Sequence, residues 1–150
     1  MSQLFLVEDI RLLQTQLNGT IPSGFYQMHE LTKLDLYESF LSGTIASDIG
    51  HLRNLKYLRL RDCEFSGTIP TEVGRLRFLE QVWFDGNDFT GAVPDEICSL
   101  RTPVGSETGL SELIADCALI DMVEPPEIEC PCCTVCCDGK NEFSCFRNLI

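Results

Sequence analysis

FSGTIP, residues 65–70, is one of four near-copies: LNGTIP starts at Leu17, LSGTIA at Leu41 and FTGAVP at Phe89, each pair of starts separated by 24 residues. Working outward from Phe65, the apolar residues of this register are Leu52, Leu55, Leu58, Leu60, Phe65, Ile69 and Val73, with Cys63, Gly67, Pro70 and Gly74 between and after them. The preceding register supplies Met28, Leu31, Leu34, Leu36, Leu41, Ile45 and Ile49 in the same columns, and the following one Leu76, Leu79, Val82, Phe84, Phe89, Val93 and Ile97. The first register reads Leu4, Val7, Ile10, Leu12, Leu17, Ile21 and Phe25. A fixed period of this length marks a solenoid, in which each coil buries its apolar face against its neighbours.

Within a coil, L-x-x-L-x-L predicts a short strand with alternate side chains buried, such as Leu58 and Leu60. The glycine column (Gly19, Gly43, Gly67, Gly91) fits a tight turn where a side chain would block the next coil. The I-P pair starts an extended or short helical return. The expected fold is an α/β solenoid: a right-handed coil of about four 24-residue repeats with a parallel concave sheet, then a C-terminal capping strand. Residues 1–100 form the repeats, and residues 101–150 the capping strand and Cys-rich tail.

The L-x-x-L-x-L and G-x-I-P elements together resemble the plant-type extracellular leucine-rich repeat of receptor-like proteins and polygalacturonase-inhibiting proteins. That resemblance implies a non-catalytic recognition module for a protein or peptide. The family's turn asparagine stands here only at Asn87, with Thr15, Ser39 and Cys63 in its column. Thiols are weak donors, so this ladder is expected to be loosest at Cys63.

Past Leu100 the period fails. LSELIADC (Leu110–Cys117) reads as one more strand, followed by CPCCTVCCDGKNEFSC (Cys130–Cys145). This run resembles the C-terminal cap of diatom leucine-rich-repeat proteins. Cys98, Cys117, Cys130, Cys132, Cys133, Cys136, Cys137 and Cys145 make an even set of disulfide candidates with open connectivity, and Cys63 is left as a free buried thiol. A thiolate metal cluster is the alternative for this tail, but its doublets are crowded for one tetrahedral site and both histidines are distant.

Formal net charge is −12, from 11 basic and 23 acidic residues. That field disfavours nucleic acid and anionic membranes as partners. No apolar run approaches the roughly 20 residues of a membrane helix. The start carries Glu8 and Asp9 in its apolar stretch and lacks a basic segment, so it does not read as a secretory signal. Cysteine density points to an oxidising, extracellular or cell-surface location. The two are reconciled if further repeats lie upstream.

Side chains between the buried strand positions face the concave side. The columns are Asp9, Lys33, Tyr57, Gln81, then Arg11, Asp35, Arg59, Trp83, and then Leu13, Tyr37, Arg61, Asp85. An alternating ladder Arg11–Asp35–Arg59 with Trp83 stacked on Arg59 is expected. Tyr37, Tyr57, Arg59, Arg61 and Trp83 are the candidate ligand-binding residues, of the types that dominate interface energetics. Five strands expose a patch on the order of 300 Å², against about 800 Å² per partner in a stable interface. An inhibitor of secreted hydrolases is the alternative use of this face. His29 and His51 fall in outward columns, and acid pairs such as Asp95 and Glu96 read as solvated. No serine–histidine–acid set converges, so neither a catalytic site nor a cofactor is expected. Asn18-Gly19-Thr20 is an N-glycosylation sequon.

Overall fold

The computed structural model describes residues 6–101, 109–117, 128–137 and 146–147, the last pair by backbone alone. Leu4, Cys145 and most of the connection after Arg101 lie outside the described residues. Each coil contributes a three-residue strand at the L-x-L element: β1 (Asp9–Arg11), β3 (Lys33–Asp35), β5 (Tyr57–Arg59) and β7 (Gln81–Trp83). These pair in parallel, one whole period apart, with Leu34 opposite Leu58 and Leu58 opposite Val82. Leu34, Leu58 and Val82 are completely buried, so the column read from the sequence is a physical spine.

The sheet extends further than the five strands counted from the sequence. β10 (Glu112–Ala115) pairs in parallel with β7, placing Leu113 beside Val82. Beyond it lie β12 (Val135–Cys136), parallel to β10, and β13 (Phe146–Arg147), antiparallel to β12, giving a seven-stranded order β1-β3-β5-β7-β10-β12-β13. The two outer strands fall where the 24-residue period has already failed, so no column assigns them.

A second sheet was not expected from the sequence. The LxGxI segments pair as β2 (Thr15–Gly19), β4 (Ser39–Gly43), β6 (Glu64–Gly67) and β8 (Asp88–Phe89), in that order. β9 (Gly91–Ala92) pairs with β11 (Ile128–Glu129), which brings the tail back along the last coil. The glycines of the column have positive φ, from 76° at Gly67 to 89° at Gly19. That backbone conformation, more than space, requires glycine: a Cβ at Gly19 would meet nothing within 4 Å, whereas one at Gly43 would press on the Thr20 methyl at 3.0 Å. After the I-P pair the chain returns through 3-10 turns at Ser23–Gln27, Ser47–His51 and Thr71–Arg75, and through α1 (Asp95–Cys98).

Packing is complete in the second to fourth coils and open in the first. Leu31, Leu52, Leu55, Leu60, Phe65, Val73 and Leu76 are fully buried. Val7, Ile10 and Leu12 are only half-buried, and Leu17 is 45% exposed although its counterparts Leu41, Phe65 and Phe89 are buried. The first register therefore departs from the expected buried columns, because no described coil covers its outer side.

The turn ladder follows the sequence in part. Asn87 donates through Nδ2 to Leu60 O (2.6 Å) in the preceding coil and to Phe84 O (3.0 Å), and accepts from Phe65 N (3.0 Å). Cys63 reaches back to Leu36 O at 2.9 Å and lies 3.3 Å from Ser39 Oγ. Contrary to expectation, the loosest rung is Thr15, whose buried hydroxyl finds no partner among the described residues. Cys63 is a free thiol, half-buried rather than fully buried, and burial pushes its pKa up. Cys63→Asn is expected to raise stability by about 1 kcal/mol, read as a higher melting temperature, because an amide donates more strongly than a thiol and its oxygen accepts more strongly than sulfur.

Candidate functional site

The outward faces of β5 and β7 carry Tyr57, Arg59 and Trp83 because the inward residues Leu58 and Val82 are committed to the core, while Tyr37 and Arg61 stand two residues past the ends of β3 and β5. Arg59 sits at the centre. Its guanidinium lies 4.3 Å from the Trp83 ring centroid and 5.5 Å from that of Tyr57. One amino group meets Asp35 Oδ2 at 3.3 Å and the other donates to Gln81 Oε1. The Trp83 indole N–H donates to Glu112 Oε2 (3.0 Å), and the Tyr57 hydroxyl donates to Glu80 Oε2 (2.8 Å). The bond to Glu80 raises the Tyr57 pKa. Three planar side chains are thereby held in one arrangement before any ligand arrives.

The expected Asp35–Arg59–Trp83 part of the ladder is present, but the direct ion pair of Arg11 is with Asp9, and Asp35 acts on it only as a weaker, more distant charge. Arg11 turns to Asp9, two residues away on the same face, with contacts of 2.6 and 3.0 Å. Both groups are exposed on the edge strand β1, where Asp9 is the nearer partner.

A second cluster lies one column over. The Arg61 guanidinium is 5.7 Å from the Tyr37 ring centroid, with its Nε 2.9 Å from Asp85 Oδ2 and 3.1 Å from Asp62 Oδ2. Hydrogen bonds from Tyr37 and Gln14 hold the Glu38 carboxyl below its ordinary range. Asp85 is 3% exposed; burial pushes its pKa up to about 6 although Arg61 pulls it down. Its folded pKa exceeds the unfolded value of about 3.9, so the folded chain binds the extra proton. The stability Asp85 contributes is full below about pH 4 and is lost as pH rises through about 6. The unfolding free energy of the parent should therefore fall, relative to Asp85→Asn, by on the order of 2–3 kcal/mol between pH 4 and 7, measured by denaturant titration.

Column arithmetic placed Tyr37, Tyr57, Arg59, Arg61 and Trp83, but it missed Glu80 and Glu112, which hold the aromatic rings. Glu112 lies beyond the period break and Glu80 precedes the strand, so neither carries a periodic signal. His29 and His51 are exposed, as are Asp95 and Glu96.

The cap is built from cystines. Cys98 joins Cys132, Cys117 joins Cys136, and Cys130 joins Cys133; Cys137 is also disulfide-bonded. Neighbouring cysteines do not join each other, in keeping with local geometry. The sulfurs of Cys117, Cys130 and Cys133 lie within 4.8 Å of one another, the density a thiolate metal site needs. Each is already half of a disulfide, so none is a thiolate able to ligate in this oxidised chain. Among the described residues no helix is long and apolar enough to cross a membrane.

Residues 54–76 match the Leucine Rich Repeat family model. No curated protein sequence matches the chain. Solved structures do, among them PEPR1–AtPEP1 at 37% identity over 61% of this chain (TM-score 0.60). Others are the Arabidopsis receptor kinase HAESA with the peptide hormone IDA and the co-receptor SERK1 (33%, 70%, 0.62), and the plant peptide hormone receptor RGFR1 with RGF2 (26%, 73%, 0.66). The chain spans 13% of the first of these and 17% of each of the other two. Period, stacked columns, parallel register and these likenesses agree: the chain folds as a leucine-rich-repeat solenoid, similar over 61–73% of its length to these plant receptor structures, with disulfides in its C-terminal segment.

Proposed function

We propose that this chain is a non-catalytic recognition module of an extracellular or cell-surface protein, and that it holds a protein or peptide ligand on the outward face of β3, β5 and β7. Residues 1–100 are its recognition coils and residues 101–150 their cap. The observation that carries this reading is Arg59 fixed between Tyr57 and Trp83. Arginine and large aromatics supply most of the binding energy at interfaces, and fixing them in advance lowers the entropy lost on binding. The likeness to HAESA, solved with the peptide hormone IDA, and to the peptide hormone receptor RGFR1, solved with RGF2, supports a peptide as the ligand. Three described disulfides support an oxidising location. Asn18, exposed in β2, is then available for glycosylation.

A phage-displayed library of random decapeptides, selected on the immobilised oxidised chain, tests the reading. Enriched peptides should bind Arg59→Ala and Trp83→Ala at least tenfold more weakly, with the circular dichroism of the folded chain retained because neither side chain belongs to the buried spine. The absence of any enrichment over a chain reduced and unfolded beforehand would overturn the proposal.

A further inference from the structure

The outward column that begins Arg11, Asp35, Arg59 changes character as it crosses into the cap. Register places Ile114 beside Trp83 and Val135 beside Ile114. Leu113 and Ala115 point inward, with 0% and 1% exposure, so strand alternation turns Ile114 outward, where it is only half-buried, as is Val135. Three apolar side chains thus follow one another at steps of about 4.8 Å. The core beneath them is already closed by the inward residues, so this strip has no packing duty in the coil. The Trp83 N–H is occupied by Glu112, so the indole's one polar donor already has its partner.

Toward the other end of the sheet, in β3, stands a cation that has no counter-charge among the described residues. Arg11, Arg59 and Arg61 each have a carboxylate within 4 Å. Lys33 has none among the described residues; its ammonium lies 4.6 Å from the Tyr57 ring centroid. Asp9, its partner across β1 and β3, has both oxygens engaged by Arg11.

Building on the recognition reading above, we infer that the capping strand β10 completes the binding face, and that its ligand is an extended peptide with an apolar residue on Trp83, Ile114 and Val135 and a carboxylate on Lys33. Lys33 lies three strands and one column from Ile114, about 16 Å away, which four or five residues of extended peptide cover. An acid at that interval from the apolar residue satisfies Lys33 while the apolar side chain covers the strip. The chain's own charge of −12 leaves Lys33 the place on this face where a ligand carboxylate is not opposed by a paired acid.

The decapeptide selection described above separates this inference from the reading it rests on. Enriched sequences should pair an aliphatic or aromatic residue with Asp or Glu four or five positions away. By fluorescence polarisation on the full oxidised chain, Ile114→Thr, which keeps β-branching, should weaken them about tenfold. Lys33→Ala should do the same for the parent peptides and have no effect on peptides whose acid is changed to the amide, the signature of a direct pair in a double-mutant cycle. Enriched peptides that lack the pattern, or that bind both variants as they bind the parent, would overturn the inference while leaving the recognition module standing. A failure to enrich any peptide would overturn both.

Discussion

Phe65→Ala is expected to lower the unfolding free energy by about 3–5 kcal/mol, while Leu17→Ala, in the same column, costs less than about 1 kcal/mol. Phe65 is completely buried and stacks nearly parallel to Phe89 of the next coil, with centroids 6.3 Å apart. Phe89 in turn meets the edge of Phe84 at 5.5 Å. Removing the ring leaves a void between two coils, and the strands on either side are fixed by their ladders, so the void cannot readily collapse. In a solenoid, stability is a sum of coil terms and nearest-neighbour terms, and this substitution weakens the contacts of the third coil with both neighbours. Leu17 is 45% exposed on the open first coil and has little burial to lose. Chemical denaturation of the two variants against the parent measures the contrast. Equal losses would mean that the stacked column is not what holds the coils together.

The same pair of residues shows what the sequence carried and where it ran out. Columns 24 residues apart identified the buried spine and its outward neighbours, because a parallel register of one whole period maps each residue onto its copy. Leu17 looked identical to Phe65 in that arithmetic, since a column says which residues are equivalent and not whether a neighbour covers them. The second sheet was hidden for a related reason: in β2, β4, β6 and β8 the pairing is made by backbone groups, and Gln16, Phe40, Glu64 and Asp88 give no alternation to read. In the site, Arg59 and Trp83 were legible because both sit in the repeat. Glu112, Ile114 and Val135 were not, because the cap joins the sheet by tertiary pairing after the period has stopped.

Replacing Cys98 and Cys132 together by serine is expected to cost about 3–4 kcal/mol and to loosen the C-terminal end before the central coils. This disulfide closes a separation of 34 residues, far longer than the 3 residues between Cys130 and Cys133. Loop closure restricts the unfolded chain more as the loop lengthens, which gives the stated magnitude. The bond also ties α1, at the end of the last full coil, to the tail that supplies β12. Arg101 reinforces that junction by donating from an amino group to Cys132 O at 2.6 Å. Without the covalent tie, β12 is held by two register pairs to β10, by its short antiparallel contact with β13 and by the Cys117–Cys136 bond. Hydrogen exchange should therefore speed up first in β10 and β12, while amides of β5 keep their protection, as expected when a solenoid frays from a weakened end. The Cys130→Ser, Cys133→Ser pair is the control: its short loop constrains the unfolded chain far less, so its loss should fall well below that of the long bridge. If the two pairs cost the same, loop closure is not the source of the cap's stability and local packing around the sulfurs must be.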